Sequence, residues 1–194
     1  MKTLPASTAA VRERQAPLRQ RYRGAPAEAW VTDLAETRGE DLGDPLHGRV
    51  QFGSRVTTSV AYAVHAAIGG SHDAPVPGDL LCAALASCHE SSFRMVADVF
   101  GVQLDELRVS VEADVDVRGT LGMDPKVPVG FQAMRVRVQL RAAPATEPSR
   151  LRLLVNAAQR ACVVLQTLRQ GVPISVEVDA AANASSAHPF HATP

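Results

Sequence analysis

Two stretches of alternating apolar and polar residues constrain the fold of this chain more than any other feature. In residues 107–117, Leu, Val and Ala alternate with Arg, Ser, Glu and Asp, and in residues 134–141, Met, Val and Leu alternate with Arg and Gln. A period of two residues predicts β-strands that bury one face. The first polar face is mainly acidic and the second is basic, which is typical of antiparallel neighbours with opposite charges across the pair.

Two other segments predict long helices. The first covers residues 77–101, with Asp79 as the expected N-cap and Gly101 as the stop signal. The second covers residues 147–169, with Pro148 in its first turn and a glycine just beyond its end. Shorter apolar or alternating stretches predict further strands at residues 29–37, 56–64 and 172–178.

These elements fit one domain with an α+β fold. The chain has 194 residues, of which 46% are hydrophobic, and is long enough to bury a core. We assign residues 26–179 to that domain. Residues 1–25 are rich in Ala, Pro, Arg and Gln without periodicity and are interpreted as a mobile arm, and residues 180–194 as a loose tail.

Composition argues against several functional classes. Lys and Arg together number 20, as do Asp and Glu, so no overall field favours nucleic acid or an anionic membrane. The longest apolar run is too short to span a bilayer, and the N-terminus has no apolar core of a secretory signal. Three cysteines are an odd count, which argues against a secreted disulfide framework and favours a cytoplasmic location.

The cysteines are the main candidates for chemistry. Cys82 and Cys88 lie six residues apart in the first predicted helix, a rise of about 9 Å, whereas a disulfide needs Cα atoms within about 7 Å. They cannot bridge while that helix is intact. Cys162, on the apolar stripe of the second helix, is a better partner for Cys88. Spacing alone leaves that contact open, because free cysteines commonly just fill space in cores.

The residues around Cys88 offer weaker candidates. His89 with His65 or Cys162 would suggest zinc, but adjacent helical residues diverge by about 100° and the paired cysteine spacing of zinc sites is missing. We therefore expect no metal and no cofactor. Residues 90–92 are interpreted as a polar edge of the helix without a chemical role.

The stretch that contains the first two cysteines resembles a known family. It reads "PGDLLCAALASC" and is followed about seventy residues later by "AAQRACVVLQTLRQGVPISVEV". This pattern, over about residues 30–179, resembles the OsmC/Ohr family, the osmotically induced and organic hydroperoxide resistance proteins. The resemblance implies a strongly curved antiparallel sheet with two long central helices. It also implies an intertwined homodimer in which each chain's sheet wraps the helices of the other.

The resemblance further implies thiol-dependent reduction of organic hydroperoxides. Cys88 takes the place of the peroxidatic cysteine, whose sulfenic acid is captured by Cys162 as a disulfide. Cys82 has no role in the family and is expected in the core. A small dithiol or a lipoyl-type reductant would recycle the disulfide.

A cation is also expected at the thiolate. Cys88 lies three turns into its helix, where the helix dipole has little effect, and the family supplies an arginine held by a glutamate. Arg38, in a glycine-rich turn, takes that place by resemblance, with Arg49 and Arg55 as alternatives.

The chain departs from the family pattern beside both cysteines. Gly78 stands where the family has its glutamate, with Asp79 one position later, and Val163 follows Cys162 where proline is common. These departures leave a second function open. In that alternative, the chain is a non-catalytic protein of the same fold that binds a small apolar ligand in the interface cleft.

Overall fold

The computed structural model describes residues 11–39, 41–53 and 58–180, and its regular elements are both helices and strands. The helices are α1 (Val11–Gly24), α2 (Pro77–Phe100), α3 (Val117–Thr120), α4 (Pro148–Ala161) and α5 (Val163–Gln170). The strands are β1 (Ala35–Thr37), β2 (His47–Phe52), β3 (Ser59–Ala63), β4 (Leu104–Asp114) and β5 (Ala133–Ala142). The α+β class is confirmed.

Both sheets are antiparallel, one in the order β1-β2-β3 and the other formed by β4 and β5. In the second sheet Glu112 lies opposite Arg135. The guanidinium of Arg135 approaches that carboxylate at 3.2 Å and also pairs with Asp114. The predicted pairing of an acidic with a basic strand face is therefore confirmed. Because these side chains are exposed, each ion pair adds little stability and mainly favours this register.

Helix α2 has nearly the predicted bounds. Gly101 ends it in the left-handed conformation, with φ of 63°, which glycine adopts without strain. The expected N-cap is wrong, because Val76 is the N-cap and Asp79 lies in the first turn. The Asp79 carboxylate accepts a hydrogen bond from the Val76 backbone N–H at 3.0 Å. Asp79 therefore provides an acceptor for a backbone N–H at the helix start, although it lies within the first turn.

The second long helix is interrupted at one residue. Cys162 has an extended backbone, with φ of −79° and ψ of 104°, and separates α4 from α5. The prediction of one continuous helix over residues 147–169 is therefore wrong at Cys162. The interruption makes Cys162 the N-cap of α5, and its carbonyl accepts the Gln166 N–H at 3.0 Å.

The N-terminal segment is more ordered than its composition indicates. Residues 11–24 form α1, whereas we interpreted residues 1–25 as a mobile arm. The backbone N–H of Val11 donates to the Asp98 carboxylate at the end of α2 at 2.6 Å. Residues rich in Ala, Arg and Gln are good helix formers, and this contact fixes the first turn. Residues 1–10, like the tail after residue 180, lie outside the described ranges.

Several predicted strands are shorter than expected or missing. The strand expected at 29–37 is limited to β1, and that expected at 56–64 to β3, although residues 54–57 are outside the description. Strand β2 was not predicted. Residues 171–180 form no strand, so the terminal strand expected at 172–178 is wrong. Its apolar side chains are exposed, and the segment pairs with no strand in the described part of the chain.

The core has two clusters, and the smaller one holds the cysteines. The larger consists of Phe93, Ala97, Val102, Leu154 and Ala158. The smaller joins Leu85, Cys162 and Leu165, with Cys88 packed against it. Side chains from α2, α5 and both strands of the second sheet meet there. None of the helices in the described ranges is both long and apolar enough to cross a membrane.

Candidate active site

The structure brings Cys88 and Cys162 together. Their Sγ atoms are 3.4 Å apart, in a geometry that suits the Cys162 thiol donating a hydrogen bond to Cys88. Cys88 comes from the middle of α2, and Cys162 from the interruption between α4 and α5. A disulfide bond is about 2.05 Å long, so the sulfurs need to approach by only about 1.4 Å.

The two sulfurs differ in exposure. Cys88 is half-buried, whereas Cys162 is completely buried, with 0% of its surface exposed. An oxidant that arrives from solvent therefore meets Cys88 first. Cys162 is shielded from solvent and placed to react with Cys88 itself.

Cys162 has a defined electrostatic environment. Burial raises the pKa of the Cys162 thiol, and the neighbouring Cys88 sulfur raises it further. Two donors act in the opposite direction, the Leu165 backbone N–H at 3.4 Å from Sγ and the Ser92 hydroxyl. The net effect keeps Cys162 protonated at neutral pH, so its S–H is available to a thiolate at Cys88.

Cys82 lies outside this pair. It is half-buried and lines a separate, mainly apolar cavity of about 530 Å³. Burial and the nearby Asp79 carboxylate raise the pKa of its thiol, which makes it a poor nucleophile. This environment agrees with a space-filling role.

The two candidate arginines that the structure describes, Arg38 and Arg49, bond to residues other than the cysteines within one chain. Arg38 is exposed and its Nε pairs with the Glu36 carboxylate at 3.0 Å. Arg49 donates to the Ser59 hydroxyl at 2.8 Å. Arg55 lies outside the described residues. The structure thus joins two of the three proposed site residues, Cys88 and Cys162, and places Arg38 with Glu36.

Two residues of α2 near Cys88 are buried, and one of them, Ser92, contradicts the interpretation of residues 90–92 as a polar edge. Ser92 is 2% exposed, and its hydroxyl donates to the Cys88 carbonyl at 2.8 Å. His89 is also 2% exposed and packs edge-on against Phe93. Burial and the Arg169 charge lower the pKa of His89, so its ring is neutral at pH 7. The sequence signal for Ser92 was its spacing of four residues from Cys88, which places both on one helix face.

His89 has an unusual environment for a buried polar residue. Its Nδ1 has no hydrogen-bond partner among the described residues. The ring lines a cavity of about 620 Å³ between α2, β5 and α5, which Arg169 also borders. No cluster of three or more His, Cys, Asp or Glu side chains in the described ranges is arranged to hold a metal ion.

Comparison with known structures identifies the same fold in bacterial proteins. An OsmC-like protein from Mycoplasma pneumoniae superposes with a TM-score of 0.56 at 10% identity, covering 73% of this chain and 89% of that one. An organic hydroperoxide resistance protein from Elizabethkingia anophelis gives 0.54 at 16% identity, covering 74% and 92%. One from Legionella pneumophila gives 0.50 at 22% identity, covering 73% and 92%. At these identities the likeness shows the fold.

Family assignment rests on the sequence itself. No curated protein is similar enough to this chain to count as a relative. The family model described as OsmC-like protein matches residues 70–177, which is more than half of the chain and includes both cysteines of the close pair. The chain therefore belongs to the OsmC-like protein family, of which it is a divergent member.

Proposed function

We propose that this protein is a thiol-dependent peroxidase that reduces organic hydroperoxides. The observation that carries the proposal is the Cys88–Cys162 pair, with sulfurs 3.4 Å apart, Cys88 half-buried and Cys162 fully buried. A nucleophilic thiol needs access to its substrate, and a resolving thiol needs access to the nucleophile. Cys88 meets the first requirement and Cys162 meets the second.

The proposed reaction has three balanced steps. The Cys88 thiolate attacks the O–O bond of the hydroperoxide, releases an alcohol after protonation and becomes a sulfenic acid. Cys162 then attacks the Cys88 sulfur, which forms the disulfide and releases water. A small dithiol or lipoyl-type reductant exchanges with the disulfide, returns both thiols and is itself oxidised to its own disulfide.

Steady-state turnover tests this function. We expect the protein to consume cumene hydroperoxide catalytically when dihydrolipoamide is supplied, with one dithiol oxidised per hydroperoxide. Consumption no faster than the direct reaction of dithiol with hydroperoxide would contradict the proposal. A monothiol serves as the control reductant. After a dithiol has attacked the protein disulfide, its second thiol completes the reduction within the mixed disulfide, and a monothiol has no second thiol for this step.

Arg38 is our proposed thiolate-stabilising cation. Within one chain it pairs with Glu36, so it would reach Cys88 only if the β1–β2 turn folded over the helices of a second chain. We expect Arg38→Ala to raise the pKa of the Cys88 thiol, because an opposite charge within about 4–6 Å favours the charged form.

The measurement is the pH dependence of the Cys88 alkylation rate in wild type and Arg38→Ala. Arg49→Ala is measured in parallel, because Arg49, which bonds to Ser59, is the alternative candidate for this cation. An unchanged midpoint in Arg38→Ala would remove Arg38 from the site.

We further propose that the protein is a homodimer and acts in the cytoplasm. Large apolar side chains are exposed in a single chain, among them Trp30, Leu42, Ile174 and Val176. Exposed apolar side chains of this size favour an interaction surface, and a second copy would cover them in the proposed dimer. A reducing cytoplasm suits a cysteine pair that must return to the thiol form. Light scattering after size exclusion should give twice the mass of one chain, and a monomeric mass would contradict the dimer.

The cavity beside His89 favours a second candidate function, the binding of a small apolar ligand. Its wall includes apolar residues of α2 and β5, and the unpartnered Nδ1 of His89 would give a ligand one hydrogen bond. Absence of the family glutamate at Gly78 also supports this candidate. Retention of both cysteines, at hydrogen-bonding distance, supports the peroxidase more strongly.

A further inference from the structure

Ser92 is a buried neighbour of the cysteine pair. It is one turn after Cys88 on the same face of α2, and it is 2% exposed. Its hydroxyl donates to the Cys88 carbonyl oxygen at 2.8 Å, and it lies near enough to the Cys162 thiol to lower the pKa of that thiol. A serine hydroxyl has one proton to donate, so these two acceptors compete for it.

The competition can shift with the charge on Cys162. The Cys88 carbonyl is in a helix interior, where it already accepts the Ser92 backbone N–H, and a second bond from the hydroxyl contributes little. A thiolate at Cys162 would be a charged acceptor, and hydrogen bonds to charged acceptors are about twice as strong as neutral ones. Rotation of the hydroxyl towards the sulfur then becomes favourable.

The site supplies few other means of stabilising that thiolate. Cys162 is fully buried, which opposes ionisation, and before Cys88 has reacted the charge of that neighbour opposes it too. His89 of α2, which is neutral, and Arg169 of α5 line the neighbouring cavity, and neither contributes to the shift in the pKa of Cys162. Among the described residues, the groups that lower this pKa are the Leu165 N–H and the Ser92 hydroxyl.

We propose that Ser92 is a catalytic residue of the resolving step, whose hydroxyl donates to Cys162 Sγ as that sulfur becomes a thiolate and attacks Cys88. The inference rests on the proposed function in giving Cys162 the resolving role. The Leu165 N–H at the start of α5 is the second donor, and the interruption of the helix at Cys162 is what exposes that N–H to the sulfur.

The test follows resolution without any peroxide. In a Cys82→Ala background, dithio-bis-nitrobenzoate should react in two phases. The Cys88 thiolate first takes up one thionitrobenzoate group and releases the other, and the Cys162 thiolate then displaces the bound group and forms the disulfide. The thionitrobenzoate released in each phase is coloured. Its absorbance after rapid mixing therefore gives separate rates for attack by Cys88 and for resolution by Cys162.

We expect Ser92→Ala to slow only the second phase, and only at low pH. Loss of a donor to the thiolate raises the pKa of Cys162 further, which lowers the thiolate fraction below that pKa. The higher basicity of the remaining thiolate offsets part of this loss, so the second phase should be about three- to tenfold slower. Above the pKa of both proteins the loss of rate should disappear and the variant should be slightly faster, because both are then fully ionised and its thiolate is the more basic.

Two variants control for structural effects. Ser92→Thr keeps the hydroxyl and should retain the wild-type pH profile, and Ser91→Ala removes an exposed neighbouring hydroxyl and should change neither phase. A Ser92→Ala second phase that is unchanged, or slower by the same factor at every pH, would overturn the inference. Because the reagent is not a peroxide, a protein that resolves it normally but does not consume hydroperoxide would refute the peroxidase and leave the Ser92 role standing.

Discussion

Replacing Cys88 with serine should abolish hydroperoxide consumption and leave the fold intact. A serine hydroxyl is not ionised at neutral pH and cannot form a sulfenic acid, so the first step is lost, while the near-isosteric side chain keeps its place in the core. Activity is measured as dihydrolipoamide-dependent loss of cumene hydroperoxide, and folding by circular dichroism. We expect a rate equal to that of the reductant alone.

The matched control for this variant is Cys82→Ala, on the same helix. Cys82 lines a different cavity, so its loss should leave activity unchanged and cost about 1 kcal/mol or less of stability. Cys162→Ser should instead complete one turnover and leave a sulfenic acid at Cys88, detectable by trapping with a cyclic diketone. An inactive Cys82→Ala together with an active Cys88→Ser would reverse the assignment of roles.

Replacing Leu154 with alanine should lower the free energy of unfolding by about 2–5 kcal/mol. Leu154 is 0% exposed and packs in the larger core cluster with Phe93 and Ala158, so truncation leaves a cavity between α2 and α4. The measurement is urea unfolding at one fixed protein concentration, because assembly would make stability depend on concentration.

The neighbouring Leu153 provides the control. It is 61% exposed and points about 100° away from Leu154 around the axis of α4, so Leu153→Ala should cost less than about 0.5 kcal/mol. Equal losses for the two variants would contradict the placement of α4 on the core. The pair has the same chemical change in the same helix, so helix propensity cancels in the comparison.

The parts of the fold that sequence predicted well are those with a strong local pattern. The pairing of β4 with β5 followed from alternation combined with opposite charge, and the end of α2 from its glycine. These signals act within a few residues and need no knowledge of the tertiary structure. The closeness of Cys88 and Cys162 did not follow from pattern, because 74 residues separate them along the chain. Only the family resemblance implied it.

The parts that were missed depend on contacts between distant segments. The helix is interrupted at Cys162 without a glycine or proline beside it, because Ala161 and Val163 are its neighbours. The sequence therefore has no local signal for the interruption. Ser92 was predicted to be on the polar edge of the helix because its side chain is polar, although its spacing from Cys88 placed it on the buried face. Strand β2 begins with His47 and Gly48, which resemble turn residues. The segment 172–178 alternates like a strand but has no strand to pair with in the described part of one chain.

The most direct test of the account is the identity of the bond formed after one equivalent of hydroperoxide. We expect peptide mapping by mass spectrometry to find a single intramolecular disulfide between Cys88 and Cys162, with Cys82 still a thiol. The sulfurs are already 3.4 Å apart, so the bond needs no unfolding of α2. Free thiols at Cys88 and Cys162 after exposure would contradict the account.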